Sequence, residues 1–202
     1  MKKHILLLFV AGLFTFYASA QLPFSFGGHA GYTLSMPDIP NEKDAEGLHT
    51  FHVGAFAEFK LVSSLSLQTG LNFGGRGTSI HHDDHHDDFT VYALELPINL
   101  MFRKNNFFIG LGPSFGYALS GKFHSHENGQ EKEEDIKFGT KDGETNPLVI
   151  GAQVVGGYEL NNGLFTSIGY NYQLNNHSNI ANVTTRFDLL RFSIGYRFNR
   201  DN

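Results

Sequence analysis

The residues best suited to chemistry sit together in His81, His82, Asp83, Asp84, His85, His86, Asp87 and Asp88, and His124 and His126 follow further along the chain. Imidazole and carboxylate in one stretch suit zinc, nickel or cupric copper. A tight site needs about four ligands fixed by supporting contacts, and nothing in this stretch fixes them. The plain reading is a solvated, polar loop tip, with divalent-metal binding or sensing as the alternative. Clustered histidines beside aspartates would also gain charge at around pH 6, the behaviour of a pH sensor. Glu127 to Glu134 with Asp135 reads as an acidic, mobile stretch with scattered Lys, and His177, Ser178 and Asp188 have no nucleophile elbow or orienting context that would make them a hydrolytic triad. No catalytic residue is assigned, no cofactor beyond a possible divalent ion is implied, and the chain is read as non-enzymatic.

These residues must be positioned by strands. Alternation of apolar with small or polar residues predicts strands over Phe24–Ser35, His49–Leu61, Ser64–Gly75, Thr90–Phe102, Asn106–Leu119, Pro147–Leu160, Gly163–Leu174 and Arg186–Phe198. Three of the joints are tight hairpin turns, at Val62 and Ser63, at Arg103 to Asn105, and at Asn161 and Asn162 leading into Gly163. The others, Met36–Leu48, Gly75–Phe89, Ser120–Asn146 and Asn175–Thr185, are long and polar. A soluble sandwich has no reason to segregate loop length by parity. The pattern predicts an all-β, eight-stranded antiparallel up-and-down transmembrane β-barrel, with short periplasmic turns and long extracellular loops.

The two faces of each strand differ as a membrane requires. In the second strand Phe51, Val53, Ala55, Ala57, Phe59 and Leu61 oppose His52, Gly54, Phe56, Glu58 and Lys60; in the fourth, Tyr92, Leu94, Leu96, Ile98, Leu100 and Phe102 oppose Ala93, Glu95, Pro97, Asn99 and Met101. Aromatics gather at both ends of the apolar face. Phe24, Phe59, Phe102, Phe107 and Phe198 fall near the short turns, and Phe51, Phe73, Tyr92, Tyr117 and Tyr172 near the long loops, as two interfacial girdles would. The opposite face has to satisfy Glu58, Lys60, Glu95, Glu159, Arg191 and Arg197 by mutual pairing inside the barrel. An eight-stranded barrel has room for little but its own side chains, so a charge-paired plug is expected rather than a pore. Pro97 and Pro113 each remove a ladder hydrogen bond and are expected at a bulge or bend.

Lys2 and Lys3, the apolar run Ile5–Tyr17 and the small residues Ala18, Ser19 and Ala20 have the order of a cleavable secretory signal over residues 1–20, leaving the barrel domain as residues 21–202. Without those two lysines, 13 basic residues stand against 20 acidic ones, a charge of about −7 that disfavours nucleic acid as a partner. The chain has no cysteine, which removes disulfides and thiolate metal sites.

The segments Phe51–Lys60, Ser66–Leu71, Leu94–Leu100, Phe108–Pro113 and Ile194–Phe198 together resemble the PorT-like outer-membrane β-barrel family, often labelled "porin family". The resemblance implies residence in the cell outer membrane of a Gram-negative envelope and insertion by the barrel-assembly machinery, which reads an aromatic-ended last strand such as Tyr196 to Phe198. It carries no shared catalytic residues. The function expected is a membrane anchor in outer-membrane lipid, presenting polar loops to an extracellular ligand or envelope protein whose identity the sequence does not give. The alternatives are the divalent-metal reading, a small-solute porin, and a secreted soluble barrel with an internal ligand.

Overall fold

The computed structural model describes residues 24–38, 45–82, 85–127, 130–141, 143–179 and 184–199. The expected signal peptide lies outside them, and of residues 81, 82, 85, 86, 126, 127, 130 and 131 only the backbone placement is described. The described elements are β1 (Phe24–Asp38), β2 (Ala45–Val62), β3 (Leu65–His82), β4 (His85–Lys104), β5 (Phe107–Glu127), β6 (Gln130–Asp135), β7 (Leu148–Glu159), β8 (Leu164–Gln173) and β9 (Arg186–Phe198). Every neighbouring pair of strands is antiparallel. Because β4 pairs with β5 and β1 with β9, all the strands but β6 close into a ring of eight. Among the described residues no helix is long and apolar enough to cross a membrane.

The short turns lie where the sequence puts them. Asn105 takes a left-handed conformation, φ 57°, between β4 and β5, and Gly163 does so at φ 93° between β7 and β8, where a side chain would be strained. The long connections are another matter. Much of the expected loops Gly75–Phe89 and Ser120–Asn146 is strand: β3 and β4 pair as far as His82 and His85, β5 runs on to Glu127, and β6 adds a ninth strand against its end. Beyond the belt polar residues dominate both faces of the hairpin, so the period-two signal that marks a half-apolar strand fades although the ladder continues. Pro97 and Pro113 produce no change of register. The β3–β4 ladder lapses opposite Pro97 and resumes unshifted, and Thr69 Oγ1 donates to the Pro97 carbonyl at 3.0 Å, while the register shifts fall at Gly47/His52, Lys60/Val62 and Tyr92/Ala93.

The ring is inside out relative to a soluble protein. Phe51, Val53, Leu71, Leu111, Tyr117, Ile168 and Ile194 are exposed on its outer surface, while Glu58, Glu95, Glu159, Arg76, Arg191 and Arg197 are buried. Burying that many charges while leaving a contiguous apolar belt outside is stable only if the belt has an apolar solvent. Aromatic rings pack along both edges of the belt. Phe24 with Phe59, Phe26 with Phe198 and Phe107 with Tyr158 lie at the short-turn end, with ring centroids 5.3, 5.3 and 4.9 Å apart; Phe51, Phe73 and Tyr92 form one cluster at the other end.

Candidate functional site

Two ionic layers and an aromatic layer fill the bore. Nearest the short turns, Glu58 on β2 accepts from Arg103 Nε at 2.7 Å and Nη2 at 2.8 Å, from Arg197 Nη2 at 2.6 Å, from Ser66 Oγ at 2.5 Å and from Gln68 Nε2 at 3.1 Å. Both arginines also reach Glu159 Oε2 at 3.0 Å, and Arg197 Nη1 donates to Ser25 Oγ at 2.8 Å. Two carboxylates thus meet two guanidinium groups with no excess charge, and the cluster ties β1, β2, β3, β4, β7 and β9 across the lumen. Lys60, expected in this network, is exposed and lines a cavity of about 180 Å³ at the same end. Arg103, read from sequence as a turn residue, is a central partner.

Above this layer Phe56, Met101, Phe108 and Phe165 form an apolar septum, with Val155 packed against it. Phe165 meets Phe56 and Phe108 edge-on at 5.8 and 6.0 Å, and Arg103 lies 4.7 Å over the Phe108 ring, so the two layers are joined. The sequence carries a signal for this septum. Phe56 between Ala55 and Ala57, the pair Phe107–Phe108 and the pair Leu164–Phe165 each break the alternation by placing an apolar residue on the inner face.

The third layer holds Glu95, paired with Arg191 at 2.8 Å and with Arg76, which is 1% exposed. Arg76 also reaches Gln173 Oε1 at 3.3 Å. Nearby His52 bridges Thr33 Oγ1 and Ser193 Oγ, each at 2.9 Å. A cavity of about 80 Å³ between septum and upper layer is lined by His29, His52, Asn72, Asn99, Asn171 and Arg191, among others. Arg76 was hidden from sequence reading because it falls inside Gly74–Gly77, which looks like a turn. Its pairing nevertheless follows the rule that brings Glu95 and Arg191 together, since a buried charge needs an opposite one.

The long-loop end is closed by packing. Val91, Ala93, Phe187 and Leu189 are buried there, Phe187 stacks on Phe89 at 5.8 Å, and His177, in the β8–β9 connection, meets Phe187 edge-on at 5.8 Å. His177 is 1% exposed with neither ring nitrogen hydrogen-bonded. Burial, reinforced by the Arg76 charge, lowers its pKa to about 4. A histidine so placed is neutral packing rather than a base, and Ser178 and Asp188 do not complete a triad with it: Asp188 instead accepts from Tyr170 Oη at 2.5 Å and from the Gln173 amide at 2.9 Å.

Of the His/Asp stretch, His81 and His82 end β3 and His85 to Asp88 begin β4. Asp88 Oδ1 accepts from Ser79 Oγ at 2.6 Å, and His124 Nε2 lies 2.8 Å from Glu133 Oε2 on β6. Lys122 pairs with the same carboxylate, and these two partners hold the Glu133 pKa below the usual range, Lys122 contributing more. Among the described residues no group of three or more His, Asp or Glu side chains is arranged to hold a metal ion. Asp83 and Asp84 lie outside the described residues, as do the side chains of His81, His82, His85, His86 and His126.

The architecture is similar to that of several solved barrels. Ail, the attachment invasion locus protein of Yersinia pestis, solved in complex with the heparin analogue sucrose octasulfate, aligns with TM-score 0.52 and 16% identity over 88% of this chain and 100% of that one. Neisserial surface protein A aligns with TM-score 0.48 and 14% identity over 88% of this chain and 97% of that one. OprG from Pseudomonas aeruginosa gives 0.47 and 12% over 89% and 98%. At such identities the likeness speaks for fold alone. No curated protein matches the sequence. Residues 17–179, most of the chain, match the family model described as outer membrane protein beta-barrel domain, so the chain belongs to that family and is a protein of the outer membrane.

Proposed function

We propose that this protein is a non-enzymatic anchor, a sealed barrel that holds its extracellular strands and loops against a ligand, a neighbouring envelope protein or the surroundings. The observation that carries this reading is the filled bore. Two ionic layers and an aromatic septum occupy successive cross-sections, which suits a stable pedestal and not a solute path. The laddered β3–β6 extension, which the sequence alone presents as loops, offers a display surface on that pedestal. Within the family we place the chain with the PorT-like barrels, on the strand segments given above. We assign residues 1–20 as a cleaved signal and the barrel-assembly machinery as the partner in insertion; N-terminal sequencing of the mature protein should begin at Gln21.

Trimming the display surface tests the proposal. Gly77 pairs with Thr90, so replacing residues 78–89 by Asn-Gly leaves a tight hairpin on the same ladder. The trimmed barrel should insert and keep heat-modifiable gel migration, yet fail to complement a strain lacking the protein. Full complementation by the trimmed barrel would refute the display role.

A further inference from the structure

The two ionic layers of the bore differ in charge. In the lower one two carboxylates meet two guanidinium groups, whereas in the upper one Glu95 alone serves both Arg76 and Arg191, and all three are buried. Among the described residues no other carboxylate is paired with either arginine. Counting the imidazoles as neutral, one positive charge is left over inside the barrel, and protonation of His29 or His52 would only add to it. A charge taken out of water and left unbalanced is costly unless an opposite one reaches it.

The cavity between this layer and the aromatic septum is where an opposite charge fits. Arg191 lines it and is 8% exposed; its Nη2 is paired with Glu95 at 2.8 Å, but its Nε has no hydrogen-bond partner. His29 enters the same space, its ring centroid 5.7 Å from that of His52 and 6.3 Å from that of Phe56. Asn99 Oδ1 accepts from Gln153 Nε2 at 2.8 Å, which leaves Asn99 Nδ2 as a further donor at the wall. Among the described residues the lining includes Arg103, Arg191 and Arg197 and no Asp or Glu, so the potential inside favours an anion. Its volume of about 80 Å³ exceeds the roughly 10–15 Å³ that a water-sized body needs.

We propose that this cavity binds one small monovalent anion of the halide class, represented by chloride, against Arg191, with His29 and Asn99 as further nitrogen contacts. A single negative charge cancels the excess, whereas a divalent anion would reverse it. Water could satisfy the Nε donor but would leave the charge in place. The septum closes the cavity from below and the packing of Val91, Phe187 and Leu189 closes the barrel above, so the ion is a structural one taken up as the barrel folds, not a solute in transit. The inference rests on the upper layer and its cavity, and stands or falls separately from the display role.

The test is urea unfolding of the mature chain in detergent, in mixtures of potassium chloride and potassium gluconate of equal ionic strength, gluconate being too large for the cavity. Once the site is mostly occupied, the wild-type midpoint should climb by about 0.7 M urea for each tenfold rise in chloride. Arg191→Gln leaves Glu95 and Arg76 as a balanced pair and should make the midpoint independent of chloride. Lys60→Gln removes an exposed charge at the short-turn end and should keep the wild-type dependence. A second measurement needs no variant to fold: wild-type crystals grown in bromide should show an anomalous peak beside Arg191. A wild-type midpoint that ignores chloride, a chloride dependence retained in Arg191→Gln or lost in Lys60→Gln, or bromide crystals without that peak would each overturn the proposal.

Discussion

Glu58→Gln keeps the shape of the side chain and removes one charge from the lower ionic layer, which then holds Glu159 against Arg103 and Arg197 and carries an excess positive charge. The amide also replaces an acceptor with a donor. If its nitrogen takes the place of Oε2, it faces Gln68 Nε2, Arg103 Nη2 and Arg197 Nη2; if it takes the place of Oε1, it faces Ser66 Oγ and Arg103 Nε. Neither orientation satisfies the donors. Removing one partner of a buried pair costs about 3–5 kcal/mol, a large share of the roughly 5–15 kcal/mol by which domains are stable. With a denaturant slope of about 2 kcal/mol per molar, the urea midpoint should fall by about 2 M. The assay is the loss of heat-modifiable migration, or of far-ultraviolet dichroism, against urea, since the chain has no Trp to report by fluorescence. Adding Arg197→Gln restores neutrality and should recover part of the loss, whereas Lys122→Gln, which breaks the exposed pair with Glu133, should leave the midpoint unchanged. A Glu58→Gln midpoint within error of wild type would refute the claim that the lower layer is a charge-balanced plug.

Two further outcomes follow from the same structure. Ile194, 66% exposed midway along β9, faces hydrocarbon in this account, so Ile194→Arg should cost about 2–4 kcal/mol when the barrel is folded into lipid vesicles; a change near zero would mean that this face meets water. His177 has a folded pKa of about 4 against about 6.5 when unfolded, so the unfolded chain binds the extra proton between those values, and stability falls as pH drops through that window and levels off below it. Its share of the loss between about pH 7 and about pH 5 is roughly 2 kcal/mol, and His177→Leu should remove that share from the pH dependence; identical pH profiles for the two proteins would show the imidazole to be solvated.

The fold was legible because a half-lipid, half-lumen strand has a period of two, and a hairpin joint such as Asn161–Asn162–Gly163 announces itself by residue type. Above the aromatic ring at Tyr92 that reasoning loses its signal. Polar residues stand on both faces of the β3–β4 extension, so Thr78, which is buried, and Asp88 read as loop although the backbone still pairs. Within the bore, Glu58, Glu95, Glu159, Arg191 and Arg197 are legible as one set of buried charges that must pair, but only the structure divides them into two layers and leaves Lys60 exposed. Arg103 and Arg76 were missed for a local reason, as each lies beside residues that look like turns. The septum of Phe56, Phe108 and Phe165 was missed because a lumen was assumed polar, whereas closed barrels this narrow accept any side chain that fills them. Pairing register, which decides which histidines share a face, depends on where the β5 ladder shifts at Tyr92/Ala93, and a single sequence does not display that shift.

Planar-bilayer recording of the mature barrel in concentrated potassium chloride tests the sealed anchor most directly, with a general porin reconstituted alongside as the positive control. A sealed barrel should give a membrane current indistinguishable from that of the protein-free bilayer. Large, ohmic and reproducible conductance steps from the wild-type barrel would contradict it.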